Sequence, residues 1–296
     1  MSIYRIISAE RASFPVSLQC EVLGVSRSGY YGWANGVPSD RALSDAWLTE
    51  KIREIHQRAR GVYGVRRVHA ELRLGHDVRV GRKRVERLMR QAGISGLVTR
   101  RKGRTTIRVP GVRVADDLVK REFAAANPNV LWVADITYLP TWDGWLYLAA
   151  VQDTFSRRIV GWSMAEHMRA ELVVDALKMA INRRRPDPGL VHHSDQGSQY
   201  VSLAFGQQAR DAGIAVSMGS RGDCFDNAVA ESFFSTLKKE LVRRQTWKTR
   251  RELGAAVFEY IEVFYNRERR HSTLGYLSPE QYENRSIKIK TKKEPT

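Results

Sequence analysis

The stretch Leu131-Trp132-Val133-Ala134-Asp135-Ile136-Thr137-Tyr138-Leu139 constrains the fold of this chain more than any other. Its β-branched, aromatic and aliphatic residues suit a pleated, buried strand. Asp135 stands in the middle of it. A carboxylate so placed costs free energy unless something pairs with it. The fold must therefore bring a partner to that point.

The segments that follow predict what surrounds the strand. Asp143-Gly144 is a turn, and Trp145–Asp153 reads as a second strand. Ser156-Arg157-Arg158 turns into a third, Ile159–Met164. Short links of this kind favour antiparallel hairpins. Ala170–Arg184 carries Leu172, Val173, Ala176, Leu177, Ala180 and Ile181 at helical spacing. Gly189–Asp195 is a fourth strand, Ser202–Ala212 a helix, Ile214–Met218 a fifth strand and Asp226–Arg243 a helix. The order βββαβαβα predicts a mixed five-stranded α/β sheet with helices on both faces. Parallel strands present ligand sites at their C-terminal ends, where Asp195 falls.

The helix from Asp226 has an apolar face of Ala230, Phe233, Phe234, Leu237 and Leu241. Glu231, Ser235 and Lys238 share a different face. Glu231 alone is unremarkable, since most helical glutamates are simply solvated. Together with Asp135 and Asp195 it makes three acids on core elements, the donor set hard cations need. Asp153 is a rival acid, but at the end of a strand it reads as a turn cap.

Charge sets the class of partner. The net charge is +17, so a polyanion is expected. Residues 1–113 contribute +14 and residues 114–296 only +3, which points to a binding region ahead of a catalytic one. In the basic region, Val16–Leu23 and Ser28–Trp33 flank Gly24-Val25-Ser26 as helix, turn, helix. Asp40–Arg60 is a longer helix with Leu43, Trp47, Leu48, Ile52 and Ile55 expected inside. Tyr63–Leu74 and Gly81–Ala92 form a second pair, with Arg82, Lys83, Arg84, Arg87 and Arg90 along the polar side of the latter. A basic arm follows, including Arg100, Arg101 and Lys102, and suits contact with phosphates.

The boundaries expected are a small helix-turn-helix segment (1–38), a helical DNA-binding domain (39–97), a basic linker arm (98–126) and an α/β core (127–245). A C-terminal helical extension (246–286) and a disordered basic tail (287–296) complete them. The two cysteines, Cys20 and Cys224, form no CxxC pair, which excludes a disulfide framework and a cysteine-rich zinc site. No apolar run is long enough for a membrane span, so no membrane partner and a cytoplasmic location are expected.

Asp135, Asp195 and Glu231, with 35 residues between the last two, resemble the DDE triad of the transposase and retroviral integrase superfamily. Several stretches resemble, more narrowly, the OrfB-type transposases of two-reading-frame bacterial insertion sequences. They are Trp132–Tyr138, His193-Ser194-Asp195-Gln196-Gly197, Asp226–Lys238 and Tyr265-Asn266 through Leu274-Gly275-Tyr276. Gly24–Tyr31 and Tyr63–Val68 resemble that family's amino-terminal helical segments. The zinc-binding domain of retroviral integrases has no counterpart, which leaves the bacterial branch.

The resemblance implies a ribonuclease-H-like core and a metal-dependent enzyme of DNA transposition. It would nick element ends and join them to new sites, with two Mg²⁺ ions (Mn²⁺ as substitute) on Asp135, Asp195 and Glu231. It further implies a DNA contact by Lys238, at least a dimer on double-stranded DNA, and an upstream-frame protein fused to or paired with this one. The work would be done at the nucleoid. Asn227, His193 and Gln199 are further candidate DNA contacts; Asn227 reads equally as a helix cap and His193 as a satisfied strand-end histidine.

Overall fold

The computed structural model describes residues 3–36, 38–98, 125–195, 197–218 and 228–291. The chain divides into two compact units, residues 1–97 and 98–296.

The first unit is helical. α1 (Ile3–Ala9) precedes the expected pair and buries only Ile7, too little for a periodic signal. In α2 (Val16–Val22) and α3 (Arg27–Ala34) the expected turn chemistry is present. Gly24 takes a positive φ, and Ser26 caps α3 by accepting the Gly29 N–H. Ile7, Cys20 and Tyr30 form this part's core.

α4 (Asp40–Arg58) is capped by Ser39 and buries Leu48, Ile52 and Ile55. Leu43 and Trp47, expected inside, are 55% and 56% exposed. At about 100° per residue, Trp47 lies a quarter-turn from Leu48 and Leu43 about 140° away, so both miss the buried stripe. α5 (Val65–Gly75) and α6 (Arg82–Gln91) pack on α4 through Val68, Leu72, Val85, Leu88 and Met89.

The second unit is built on a five-stranded sheet in the order β3-β2-β1-β4-β5. β1 (Leu131–Thr141), β2 (Gly144–Asp153) and β3 (Ile159–Ala165) form an antiparallel meander. β4 (Val191–Ser194) and β5 (Ala215–Met218) add in parallel on the other side of β1. This is the mixed sheet with flanking helices that the element order predicts, and the ribonuclease-H-like arrangement that the resemblance implies.

Alternation of side chains decides what each face carries. Trp132, Ala134, Ala149, Val151 and Val160 form one core with α7 (Ala170–Arg184) and α8 (Leu203–Asp211). Gly161 lets α7 come close: a Cβ there would sit 2.2 Å from the Ala176 carbonyl oxygen. Val133, Asp135 and Thr137 are left for the opposite face. α9 (Ala228–Glu240) packs on β1 and β2, burying Ala230, Phe233, Phe234 and Leu237 as its spacing requires.

The rest of the chain locks onto this unit. α10 (Arg250–Glu259) runs straight into a π-helical stretch, Tyr260–Glu268. There Asn266 accepts the Ile159 N–H and donates to the Ile159 carbonyl, both at 2.9 Å. One side-chain amide thus satisfies backbone groups of the edge strand β3. Tyr265 accepts a hydrogen bond from Gln152 through its hydroxyl. The Tyr265-Asn266 pair therefore holds the fold together.

α11 (Pro279–Thr291) corrects the expected tail. The helix runs through residues 287–291, the first half of a stretch read as disordered. Pro279 starts it and the Ser278 hydroxyl accepts the Gln281 N–H, after which lysines are good helix formers near a C-terminus. Residues 292–296 lie outside the described residues.

Candidate active site

The sheet register explains how the first two acids meet. Parallel pairing sets Val133 opposite His193. Counting two residues along each chain brings Asp135 abreast of Asp195, just past the end of β4. Asp195 is exposed, and its carboxylate accepts the Gly197 N–H at 3.2 Å. Glu231 is the fourth residue of α9, in a first turn whose free N–H groups favour negative charge.

Asp135 feels both of the others. Burial pushes its carboxyl up to about 7; the Ile136 N–H, which donates to it at 2.7 Å, opposes this. Asp195 and Glu231 raise it further, and Lys238 lowers it. Burial also raises Glu231. Burial and Arg243 depress Lys238, against the pull of Asp135. Asp195, Glu231 and Lys238 are thus each within electrostatic reach of Asp135. Both acids act on a carboxyl that, among the described residues, has the Ile136 N–H as donor and Lys238 as a nearby cation. A hard divalent cation fits such a donor set by charge and by chemistry. Among the described residues, however, no three His, Cys, Asp or Glu side chains form a group close enough to hold a metal ion.

Two residues at the site carried no role in the sequence reading. The Lys238 ammonium lies 5.1 Å from the ring centre of Tyr138, on the same strand as Asp135. The Tyr200 hydroxyl is buried, finds no hydrogen-bond partner among the described residues, and is held well above its ordinary pKa by burial, then by Asp135 and Asp195. Its place five residues after Asp195 was the available signal.

The other candidate contacts divide. His193 is 1% exposed and bonded to Ser217 at 2.9 Å, so it sits inside the sheet and not against phosphate. Gln199 donates to the Met168 carbonyl at 2.9 Å, a bond within the fold. Arg84 and Arg87 both reach Asp45 at 2.7 Å. The acid expected to be missing from the α6 face comes from α4, and these arginines brace the two helices. No such partner is seen for Arg82 and Lys83 among the described residues. Asn227, Arg100, Arg101 and Lys102 lie outside the described residues. Asp153 is structural, accepting the N–H groups of Asn129 and Phe155.

Residues 125–224 and 231–287 match two models of the integrase core domain, and residues 42–102 match a model of an HTH-like domain. A 31 kDa protein of insertion element IS600 from Shigella sonnei is 44% identical over 88% of this chain and 95% of its own length. Transposase InsF of insertion sequence IS3A from Escherichia coli is 39% identical over 96% of this chain and 99% of its own. The chain belongs to the IS3-type family of insertion-sequence transposases. Among solved structures, the HTLV-2 integrase catalytic core in complex with magnesium is 18% identical, with a TM-score of 0.41. That alignment covers 53% of this chain and 98% of the integrase.

The transposase family gives the two units their classes, a DNA-binding helical one and an integrase core. No helix among the described residues is long and apolar enough to cross a membrane.

Proposed function

We propose that this transposase nicks the ends of its element to free 3′-hydroxyls and then joins those hydroxyls to phosphodiesters of target DNA. The observation that carries the reading is Asp135, raised first by burial and then by two further carboxylates from separate elements within an integrase core.

Asp135, Asp195 and Glu231 would hold two divalent cations, Mg²⁺ by preference with Mn²⁺ as substitute. Bound there, such ions activate the attacking water or hydroxyl and balance charge on the scissile phosphate. The chain's own residues do the rest. Asp135 is fixed on a central strand, so it provides a rigid reference for the site. Asp195 and Glu231 lie at element ends, where small adjustments can gather their oxygens around a cation. Lys238 lies on the face of Glu231 and supplies positive charge for a DNA phosphate. Arg82 and Lys83 on α6, with Arg100, Arg101 and Lys102, grip the DNA backbone. Two element ends must be held at once, so the working form is at least a dimer on DNA, paired with or fused to an upstream-frame protein. It acts on nucleoid DNA in the cytoplasm.

The test is incubation with labelled DNA ends of its own element in Mg²⁺, scoring cut and joined products. Asp135→Asn, Asp195→Asn and Glu231→Gln should each abolish both products and leave end binding largely intact. A variant that cuts at near wild-type rate would end the proposal. Cutting without joining would reduce the enzyme to a nuclease.

A further inference from the structure

We infer that the tip of the β1–β2 hairpin is a stacking platform for an unpaired nucleotide at the DNA end. The inference takes its ligand class from the transposase reading above.

Three large aromatic side chains stand in solvent within eight residues of one another. Tyr138 is 56% exposed, Trp142 70% and Trp145 48%. Exposed apolar surface concentrated like this marks a contact surface more often than an idle one. Its backbone is fixed. The Trp142 N–H donates to the Trp247 carbonyl at 3.0 Å, and Arg250 Nε donates to the Trp145 carbonyl at 3.1 Å. Thr141 Oγ1 closes the turn onto the Gly144 carbonyl at 2.7 Å. The rings are therefore held out on a braced hairpin.

The platform is linked to the site through Lys238. Pro140 pairs with Trp145 across the hairpin, so Tyr138 and Trp145 are diagonal neighbours on one face. Their rings meet edge to face at 4.9 Å. Lys238 lies against the Tyr138 ring and also acts on Asp135. Asp135 is three residues back along the strand, about 10 Å, with its side chain on the opposite face, and Lys238 from α9 is the side chain that acts on both. A cation between an aromatic surface and an acid cluster is what a nucleotide next to the reacting phosphate needs: a ring for its base and a positive charge for its phosphate.

The ligand class follows from stacking. A base inside a duplex has both faces covered by its neighbours and offers only its edges. A paired end offers one face of its last pair, whereas a base that has left the helix, at a frayed end or after flipping out, offers its full surface to the rings. A site that holds such a base favours opening of the end beside the acids. An exposed aromatic cluster could instead meet a second copy of this chain, and the test separates the two.

Full-length Tyr138→Ala and Trp145→Ala are compared with wild type and with Tyr138→Phe and Trp145→Phe, which keep a ring. Binding is measured to the paired element end, to the same end with mismatched terminal pairs, and to an oligo-dT strand, at low and high salt. The alanine variants should lose about tenfold in affinity for the mismatched end and the single strand, equally at both salts. They should bind the paired end like wild type, and the phenylalanine variants should recover most of the loss. 2-Aminopurine in the mismatched end should be quenched by wild type and not by the alanine variants. Unchanged binding to all three probes would overturn the inference, as would a loss shared equally by the paired end. Dissociation of the protein in light scattering with DNA binding intact would assign the patch to a second copy and also overturn it. Cutting of the same ends by wild type reads the proposed function separately.

Discussion

Asp135 and Glu240 lie in the same unit and are treated in opposite ways. Glu240, at the end of α9, is buried and receives Arg269 through two hydrogen bonds of 2.6 and 2.8 Å, and the Tyr260 hydroxyl at 2.8 Å. Glu283 repeats the pattern with Ser156, Arg158 and Arg184, all within 2.9 Å. Burial would raise Glu283, but these partners bring it below the ordinary glutamate range. Asp135 has one backbone donor and two acids for company, and it is raised. Where the fold wants a permanent anion, it supplies an arginine. Where it leaves an acid among more acids, the function proposed above gives the arginine's place to a cation from solution.

The comparison can be broken most forcefully at Glu240. Arg269→Ala leaves a buried carboxylate without its partner and should cost about 3–5 kcal/mol of unfolding free energy. The double replacement of Glu240 and Arg269 by Leu should cost much less, because neither charge is left behind. Urea melts of the two proteins read this; equal losses would mean that packing, not pairing, holds α9.

Asp135→Asn should act in the other direction in the metal-free protein. Native Asp135 keeps its proton to about pH 7, whereas the unfolded carboxyl releases it near 3.8. The native state therefore binds more protons between those values, and stability falls as pH rises through that window. The asparagine variant has no such proton to lose. At pH 8 it should be more stable than wild type by roughly 1–4 kcal/mol, at about 1.4 kcal/mol per tenfold change in proton affinity. At pH 3.5 the two should converge. Melting curves in EDTA across pH check this, and a gain independent of pH would deny that burial and the neighbouring acids hold Asp135 protonated.

The smallest effect is expected at Lys238. Lys238→Ala should weaken DNA binding and lower the slope of log affinity against log salt by about one. An unchanged slope would return Lys238 to a purely structural partner of Tyr138.

Much of the fold was legible before any coordinates. Asp135 in an apolar run, Asp195 at a strand end and Glu231 on an amphipathic helix each carry a local signal, and β1, β2, β3 and α7 fall within a residue of where periodicity puts them. At these side chains the partners were hidden for one reason. His193, Gln199, Arg84 and Arg87 read as candidate DNA contacts, His193 equally as a satisfied strand-end histidine, because the partners that occupy them come from elsewhere in the fold. Ser217 is 24 residues from His193 and Asp45 is 39 residues from Arg84.

Sequence alone determined the order of strands and helices, the three acids and the basic front, since these rest on backbone preferences, periodicity and formal charge. Tertiary structure alone decided which charges are satisfied. It turned Tyr265-Asn266 into a cover for an edge strand, drew Glu240 and Glu283 into arginine cages, and left Asp135 crowded by its own kind. The physical reason is that the energy of a charge depends on what surrounds it in space, and in a sheet whose parallel pairing joins Val133 to His193, those surroundings come from residues far along the chain.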